Sequence, residues 1–231
     1  MRKYNWLLFD ADNTLWDFKK SELFSFEKAF NDFNIPYQAA YLPIYHEINH
    51  KCWSDFEKGL LSQQKLRTMR MELLLKELNL DADFVAFSQS YQENLANTDF
   101  MIEGAKALLK DLSKDFTLVM ITNGLKEIQR GRLKNTAIEP FFQSIVISDE
   151  IGTAKPQKAF FDYTFEQMQH TDKSDVLVIG DSLSSDIKGG NDYGVDTCWY
   201  NIFGKDKDAE IVPTYEIEDL EELRGIVEVS K

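Results

Sequence analysis

Hydrophobic positions along this chain follow two periods. Leu23, Phe26, Phe30 and Phe33 recur at spacings of three and four, as one face of a helix does. The pair Ile35-Pro36 ends that helix, because a residue before proline is pushed out of helical backbone. Leu66, Met69, Leu73 and Leu78 mark a second such face, and Phe84, Phe87, Tyr91 and Leu95 a third. A further helix is predicted over about 40–57, its start blurred at Leu42-Pro43. Residues from about 20 to 96 carry no strand pattern and read as a four-helix insert.

The remainder alternates short apolar runs with helical stretches. Trp6-Leu7-Leu8-Phe9 is the first run. After a helix face at Ala105, Leu108, Leu109 and Leu112 come Thr117–Ile121, Ser144–Ile147, Val176–Ile179 and Thr197–Tyr200. Apolar strands separated by helices predict an α/β class protein, a parallel sheet with helices on both faces. In such sheets ligands bind beyond the carboxyl ends of the strands, near a point where strand order reverses. The acidic stretch Glu216–Glu222 reads as the solvated end of a last helix.

Composition narrows the function classes. With 26 basic and 39 acidic side chains the net charge is −13. That disfavours a nucleic-acid polymer as partner, since phosphate backbones are held by Lys and Arg clusters. A small phosphorylated substrate remains compatible, because a local positive site can sit inside a negative protein. Cys52 and Cys198 lie far apart with no CxxC spacing, as buried thiols in a reducing compartment would. Met1-Arg2-Lys3 ahead of Trp6–Phe9 imitates a signal peptide, but Asp10 and Asp12 cut the apolar run short. No stretch approaches the ~20 apolar residues of a membrane span, so a cytoplasmic protein without a membrane partner is expected.

The ends of the predicted strands carry the chemistry. The first strand runs into Asp10-Ala11-Asp12-Asn13-Thr14, where extended backbone would turn Asp10 and Asp12 the same way. Two adjacent carboxylates repel unless a cation or a shared proton compensates, which points to metal-assisted or acid/base chemistry. The run at 117–121 leads into Thr122-Asn123-Gly124, and that at 176–179 into Gly180-Asp181-Ser182, with Asp186 four residues on. Lys155 precedes Pro156, a proline suited to open a helix at its first position. Singly these strings are commonplace turns and loops. Four of them in order, three at the ends of parallel strands, form a constellation.

That constellation resembles the haloacid dehalogenase-like hydrolase superfamily over the full chain. Asp10–Thr14 is similar to the family's first motif, Thr122 to its second, Lys155 to its third, and Gly180-Asp181 through Asp186 to its fourth. Phe9–Leu15, Ile121–Gly124, Ala154–Pro156 and Gly180–Ile187, with Asp196–Trp199, resemble the bacterial pyrimidine 5′-nucleotidase branch, which removes phosphate from nucleoside monophosphates. The resemblance implies a Rossmann-like catalytic core from residues 1–17 and 99–231 and an all-helical cap over 18–98, inserted after the first strand.

It also implies roles. Asp10 would be a nucleophile forming an aspartyl-phosphate, and Asp12 the general acid and then general base. Thr122 and the amides of Asn123 and Gly124 would hold phosphoryl oxygens, with Lys155 adding charge. Mg²⁺ would be the cofactor, bound by Asp10, the Asp12 carbonyl and Asp181, with Asp186 supporting Lys155 or a metal-bound water. An acid at position 12 separates phosphoryl transfer from dehalogenation, where halide leaves without a proton. The substrate would be a small phosphomonoester, foremost a nucleoside 5′-monophosphate. A sugar phosphatase or phosphosugar mutase needs the same Asp10/Asp12 pair. A non-catalytic phosphate-binding, receiver-like protein is the remote alternative, set apart by the helical insert.

In the cap, Lys58–Ser62 resembles a specificity loop, flanked by Trp53, Phe56 and Arg70 and containing Gly59. Trp53 and Phe56 suit a helical core as well as stacking on a base, and Trp16 and Phe18 share that ambiguity. His46 and His50 stand four apart, but no acidic or Cys partner completes a metal site nearby, so they read as a solvated face.

Overall fold

The computed structural model describes residues 3–206 and 208–227. Met1 and Arg2, part of the basic N-terminal start, lie outside them. The chain divides into two units, described separately here. One comprises Met1–Phe18, Phe100–Lys126 and Thr136–Lys231; the other comprises Lys19–Asp99 and Glu127–Asn135.

The first unit is built on a parallel sheet of six strands among the described residues: β1 (Trp6–Phe9), β2 (Thr117–Thr122), β3 (Ser144–Ile147), β4 (Val176–Gly180), β5 (Asp196–Tyr200) and β6 (Tyr215–Ile217). Their order is β3-β2-β1-β4-β5-β6. Successive strands add outward from β1 on one side, then the chain returns to add β4, β5 and β6 on the other. The reversal opens a crevice beside β1, where Phe9 pairs with Met120 of β2 and with Ile179 of β4.

Residue alternation explains why the sheet is covered. Leu8, Val119, Ile121, Val146, Val176 and Val178 share one buried cluster. Packed with them are Phe160, Phe161, Phe165 and Met168 of the helix Lys158–Met168, spaced as a helix face. Leu7, Phe9, Leu118, Met120, Leu177 and Ile179 are equally buried, so the strands are apolar on both sides.

Two expectations fail here. The segment Tyr215-Glu216-Ile217 is the edge strand β6, not the end of a helix. Pairing with β5 overrides its acidic composition, because only Ile217 needs to be buried. Asp219 and Glu222 then form a capping box ahead of the short helix Leu223–Val227. Pro156 does not open that helix either: the Lys155-Pro156 bond is cis, the pair forms a turn, and the helix starts two residues later at Lys158.

The second unit contains α1 (Phe18–Asp32, from its second residue on), α2 (Tyr41–Glu57), α3 (Gln63–Glu77) and α4 (Phe84–Ala96). Ser62 caps α3 and Asp83 caps α4, each accepting from backbone amides of the first turn. Pro43 lies within the first turn of α2, where its missing N–H costs nothing. An aromatic core joins the helices: the rings of Phe26 and Tyr45 are 4.9 Å apart, and those of Phe30 and Phe87 5.0 Å.

Residues 127–135 of the helix Lys126–Thr136 group with this unit, whereas the sequence reading puts them in the α/β part. Two contacts account for it. Gly131 lies so near α4 that a Cβ would stand 2.6 Å from the Ala96 carbonyl oxygen. Arg132 is fully buried and donates to Ser21 Oγ at 3.2 Å.

Candidate active site

Three strands deliver their terminal residues to the edge of the sheet where β1 adjoins β4. Asp10 follows β1 directly, its amide donating to the Ile179 carbonyl at 2.8 Å. Thr122 is the last residue of β2, and Asp181 follows Gly180, the last of β4. Beyond Asp10 the chain turns at once. Asn13 adopts left-handed backbone (φ 60°), and its amide donates to the Trp16 carbonyl at 2.8 Å.

Lys155 sits at the centre. Its ammonium donates to Asp10 Oδ1 at 2.7 Å, Asp186 Oδ1 at 2.7 Å and the Ile121 carbonyl at 2.9 Å, which uses all three of its protons. Burial opposes that charge, but the Asp10 and Asp186 carboxylates outweigh it and hold the lysine protonated, above its usual range. Asp10 also accepts from Thr14 Oγ1 at 3.1 Å. Both oxygens of Asp186 are engaged, the second by the Ser182 amide at 3.1 Å. Gly180 makes this return of Asp186 possible, since a Cβ there would lie 2.2 Å from Asp186 Oδ2.

Carboxylates outnumber cations in this space. One oxygen each of Asp10, Asp181 and Asp186 lie within 4.8 Å of one another, and all three residues are buried. Burial first, then the Asp186 charge, pushes Asp10 up to about 7 against the pull of Lys155. Burial and the Asp10 charge push Asp181 up to about 6. Asp186 is raised as well, chiefly by burial. A set of hard oxygen donors short of positive charge fits a divalent cation such as Mg²⁺. By distance alone Asp186 could be a ligand. Asp186 is the one of the three held both by Lys155 and by a backbone amide, that of Ser182. The Asp12 carboxylate is not part of the cluster, though its charge also raises Asp10.

Contacts that the sequence did not reveal tie the pieces together. The sequence assigns a role to the backbone amide of Asn123 and none to its side chain. That side chain grips Lys155, Nδ2 donating to the Lys155 carbonyl at 2.8 Å and Oδ1 accepting its amide at 2.9 Å. The Gly124 amide donates to Thr122 Oγ1 at 3.1 Å. Trp199 donates its indole N–H to the Asp181 carbonyl at 3.0 Å, and Lys205 reaches Asp181 Oδ2 at 3.2 Å. Trp199 lay within a legible string; Lys205 had no local signal.

In the helical unit, Trp53, Phe56 and Arg70 come together on α2 and α3. Trp53 and Phe56 are half-buried and meet edge to face with centroids 5.7 Å apart. Arg70 is buried, donating to the Leu66 carbonyl, Tyr45 Oη and Asn49 Oδ1, and lies 5.7 Å from the Trp53 ring. Its guanidinium thus ties α3 to α2. Gly59 is exposed with φ 73°, in the turn between them. Trp16 is fully buried. His46 does have an acidic partner: Glu22 of α1 lies 2.7 Å from its Nε2 and raises its pKa. That partner is 24 residues away in sequence, so spacing along α2 could not reveal it.

Comparison with known proteins identifies the family. Residues 7–200 match the haloacid dehalogenase-like hydrolase family. The chain is 39% identical over 229 residues to the HAD-hydrolase YfnB of Bacillus subtilis, covering 99% of this chain and 97% of YfnB. A crystal structure of YfnB bound to magnesium superposes with a TM-score of 0.93 over 98% of this chain and all of that one. The pyrimidine 5′-nucleotidase YjjG of Escherichia coli is 32% identical, covering 97% of this chain and 98% of YjjG. The pyrimidine 5′-nucleotidase PynA of Streptococcus pneumoniae is 34% identical, covering 95% and 93%. Matched along most of its length by both sequence and fold, the chain belongs to the haloacid dehalogenase-like hydrolases.

Proposed function

We propose that this hydrolase is a Mg²⁺-dependent phosphatase of small phosphomonoesters, and that its substrate class is the nucleoside 5′-monophosphates, pyrimidine ones foremost. The observation that carries the reaction class is the buried assembly of Asp10, Lys155 and Asp186 beside Asp181 at the crevice of the sheet. The substrate class is supported by the end-to-end similarity to YjjG and PynA.

Asp10 attacks phosphorus through a carboxylate oxygen, forming an aspartyl-phosphate as the ester oxygen departs. Lys155 keeps that carboxylate oriented and its negative charge balanced. Asp12 gives its proton to the leaving oxygen, then takes one from the water that attacks the phosphorus of the intermediate. This step leaves free phosphate and restores Asp10. Thr122 and the adjoining amides of Asn123 and Gly124 hold phosphoryl oxygens, the Gly124 amide exchanging its contact with Thr122 Oγ1 for one with substrate. Asn123 positions Lys155 from below. Mg²⁺ held by Asp10, the Asp12 carbonyl and Asp181 would supply the positive charge that lets a carboxylate meet a dianionic ester.

The helical unit acts as the cap that selects substrate, through Trp53, Phe56 and the Gly59 turn, with Arg70 fixing Trp53. A cytoplasmic setting is supported by two buried, unpaired cysteines. No helix among the described residues is long and apolar enough to cross a membrane. Phosphate release from a panel of nucleoside monophosphates and sugar phosphates tests the reading. The expected result is fastest turnover of pyrimidine nucleoside monophosphates, abolished by Asp10→Asn and by chelator. Uniformly low rates across the panel would count against a nucleotidase, and near-full activity of Asp10→Asn would exclude the mechanism.

A further inference from the structure

Lys155 donates to Asp10 and Asp186 but not to Asp181. The cation that reaches Asp181 comes from the segment after β5. Lys205 Nζ lies 3.2 Å from Asp181 Oδ2 and 3.5 Å from its carbonyl oxygen. This contact is built by the backbone around it. Asn201, itself buried, accepts the Lys205 amide at 2.7 Å and donates to the Lys205 carbonyl at 3.0 Å and to Glu216 Oε1 at 3.2 Å. Gly204, at φ 58°, closes the turn with its amide on the Asn201 carbonyl at 3.0 Å. Trp199 anchors the same Asp181 carbonyl from the strand below. The turn therefore fixes where the lysine stem begins, while the side chain is about half exposed and can swing toward solvent.

We propose that Lys205 is a built-in counter-cation for Asp181, holding its carboxylate while no divalent ion is bound and opposing the entry of one. The inference rests on the reading of Asp10 and Asp181 as the Mg²⁺ carboxylates. An ammonium in contact with a ligand oxygen and a divalent ion on that same carboxylate repel each other strongly at such separations. Binding the ion thus requires Lys205 to leave, and that displacement weakens affinity. An ammonium that instead oriented Asp181 for the ion would have the opposite effect on removal, so the sign of the change decides between them.

The test is calorimetric titration of the chelator-stripped full chain with MgCl₂ at fixed ionic strength, comparing wild type, Lys205→Met and Lys205→Arg. Lys205→Met should bind Mg²⁺ about three- to ten-fold more tightly, the range expected for a partly screened charge. Lys205→Arg, which keeps the charge, should stay near wild type. Equal or weaker binding by Lys205→Met, with wild type binding normally, would overturn this inference alone. A wild-type chain that takes up no Mg²⁺ would overturn the metal-site reading and this inference with it.

Discussion

Lys155 is 1% exposed, yet it carries a full charge, and it can do so only because three acceptors surround its ammonium. Lys155→Met would leave Asp10 and Asp186 buried without that counter-charge. Loss of one partner from a buried pair costs about 3–5 kcal/mol, so the variant should unfold at clearly lower urea and have no measurable turnover. Lys155→Arg should not restore activity, since a planar guanidinium cannot replace three convergent ammonium bonds. Retention of wild-type stability by Lys155→Met would show that the cluster is not balanced as described. Asp10 and Asp12 behave differently despite their shared strand end. Asp10 is drawn into the ion pair, while Asp12 stays outside the cluster, in keeping with the proton-transfer role proposed for it.

At the scale of elements, the strand ends place the site and small residues let it close. Gly180 leaves no room for a Cβ beside Asp186, so Gly180→Ala should displace Asp186 and with it Lys155. The expected result is a folded protein, by circular dichroism, whose kcat falls at least about tenfold, the loss of one oriented charge contact. Unchanged kcat would show that Asp186 has freedom the packing denies it. The same elements show what sequence can reveal. β1, β2 and β4 were readable because apolar runs ended abruptly in acidic or hydroxyl residues. The helices of the insert were readable because Phe26, Phe30, Phe87 and Tyr91 keep helical spacing. β6 was not, because three residues with one buried side chain carry too little pattern. The Asn123 clamp, the Glu22–His46 pair and the Asn201–Lys205 turn were also invisible. The first two are tertiary contacts, and the turn, though Asn201 and Gly204 suit one, gives no sign in sequence that Lys205 meets Asp181.

For the whole molecule, charge links folding, pH and metal. Burial raises Asp10 to about 7 and Asp181 to about 6, above the ordinary 3.8, against the pull of Lys155 and Lys205. A carboxyl whose folded pKa exceeds its unfolded one favours the folded state most below the unfolded value. That contribution is lost as pH rises through the folded pKa. Chelated protein should therefore lose these two groups' contribution between about pH 4 and about pH 7. Added Mg²⁺, which needs them ionised, should raise Tm more at about pH 8 than at about pH 5. A Tm gain independent of pH would contradict the assignment of these carboxylates. The nucleophilic role of Asp10 can be examined most directly by trapping its phosphate ester. With 4-nitrophenyl phosphate the leaving group needs no proton, so Asp12→Asn should form the intermediate but hydrolyse it slowly. Rapid quenching of that variant, borohydride reduction and peptide mass spectrometry should find homoserine at position 10, matching one equivalent of nitrophenol released in a burst. Nitrophenol released without reduction at position 10, or with reduction at another carboxylate, would contradict the mechanism.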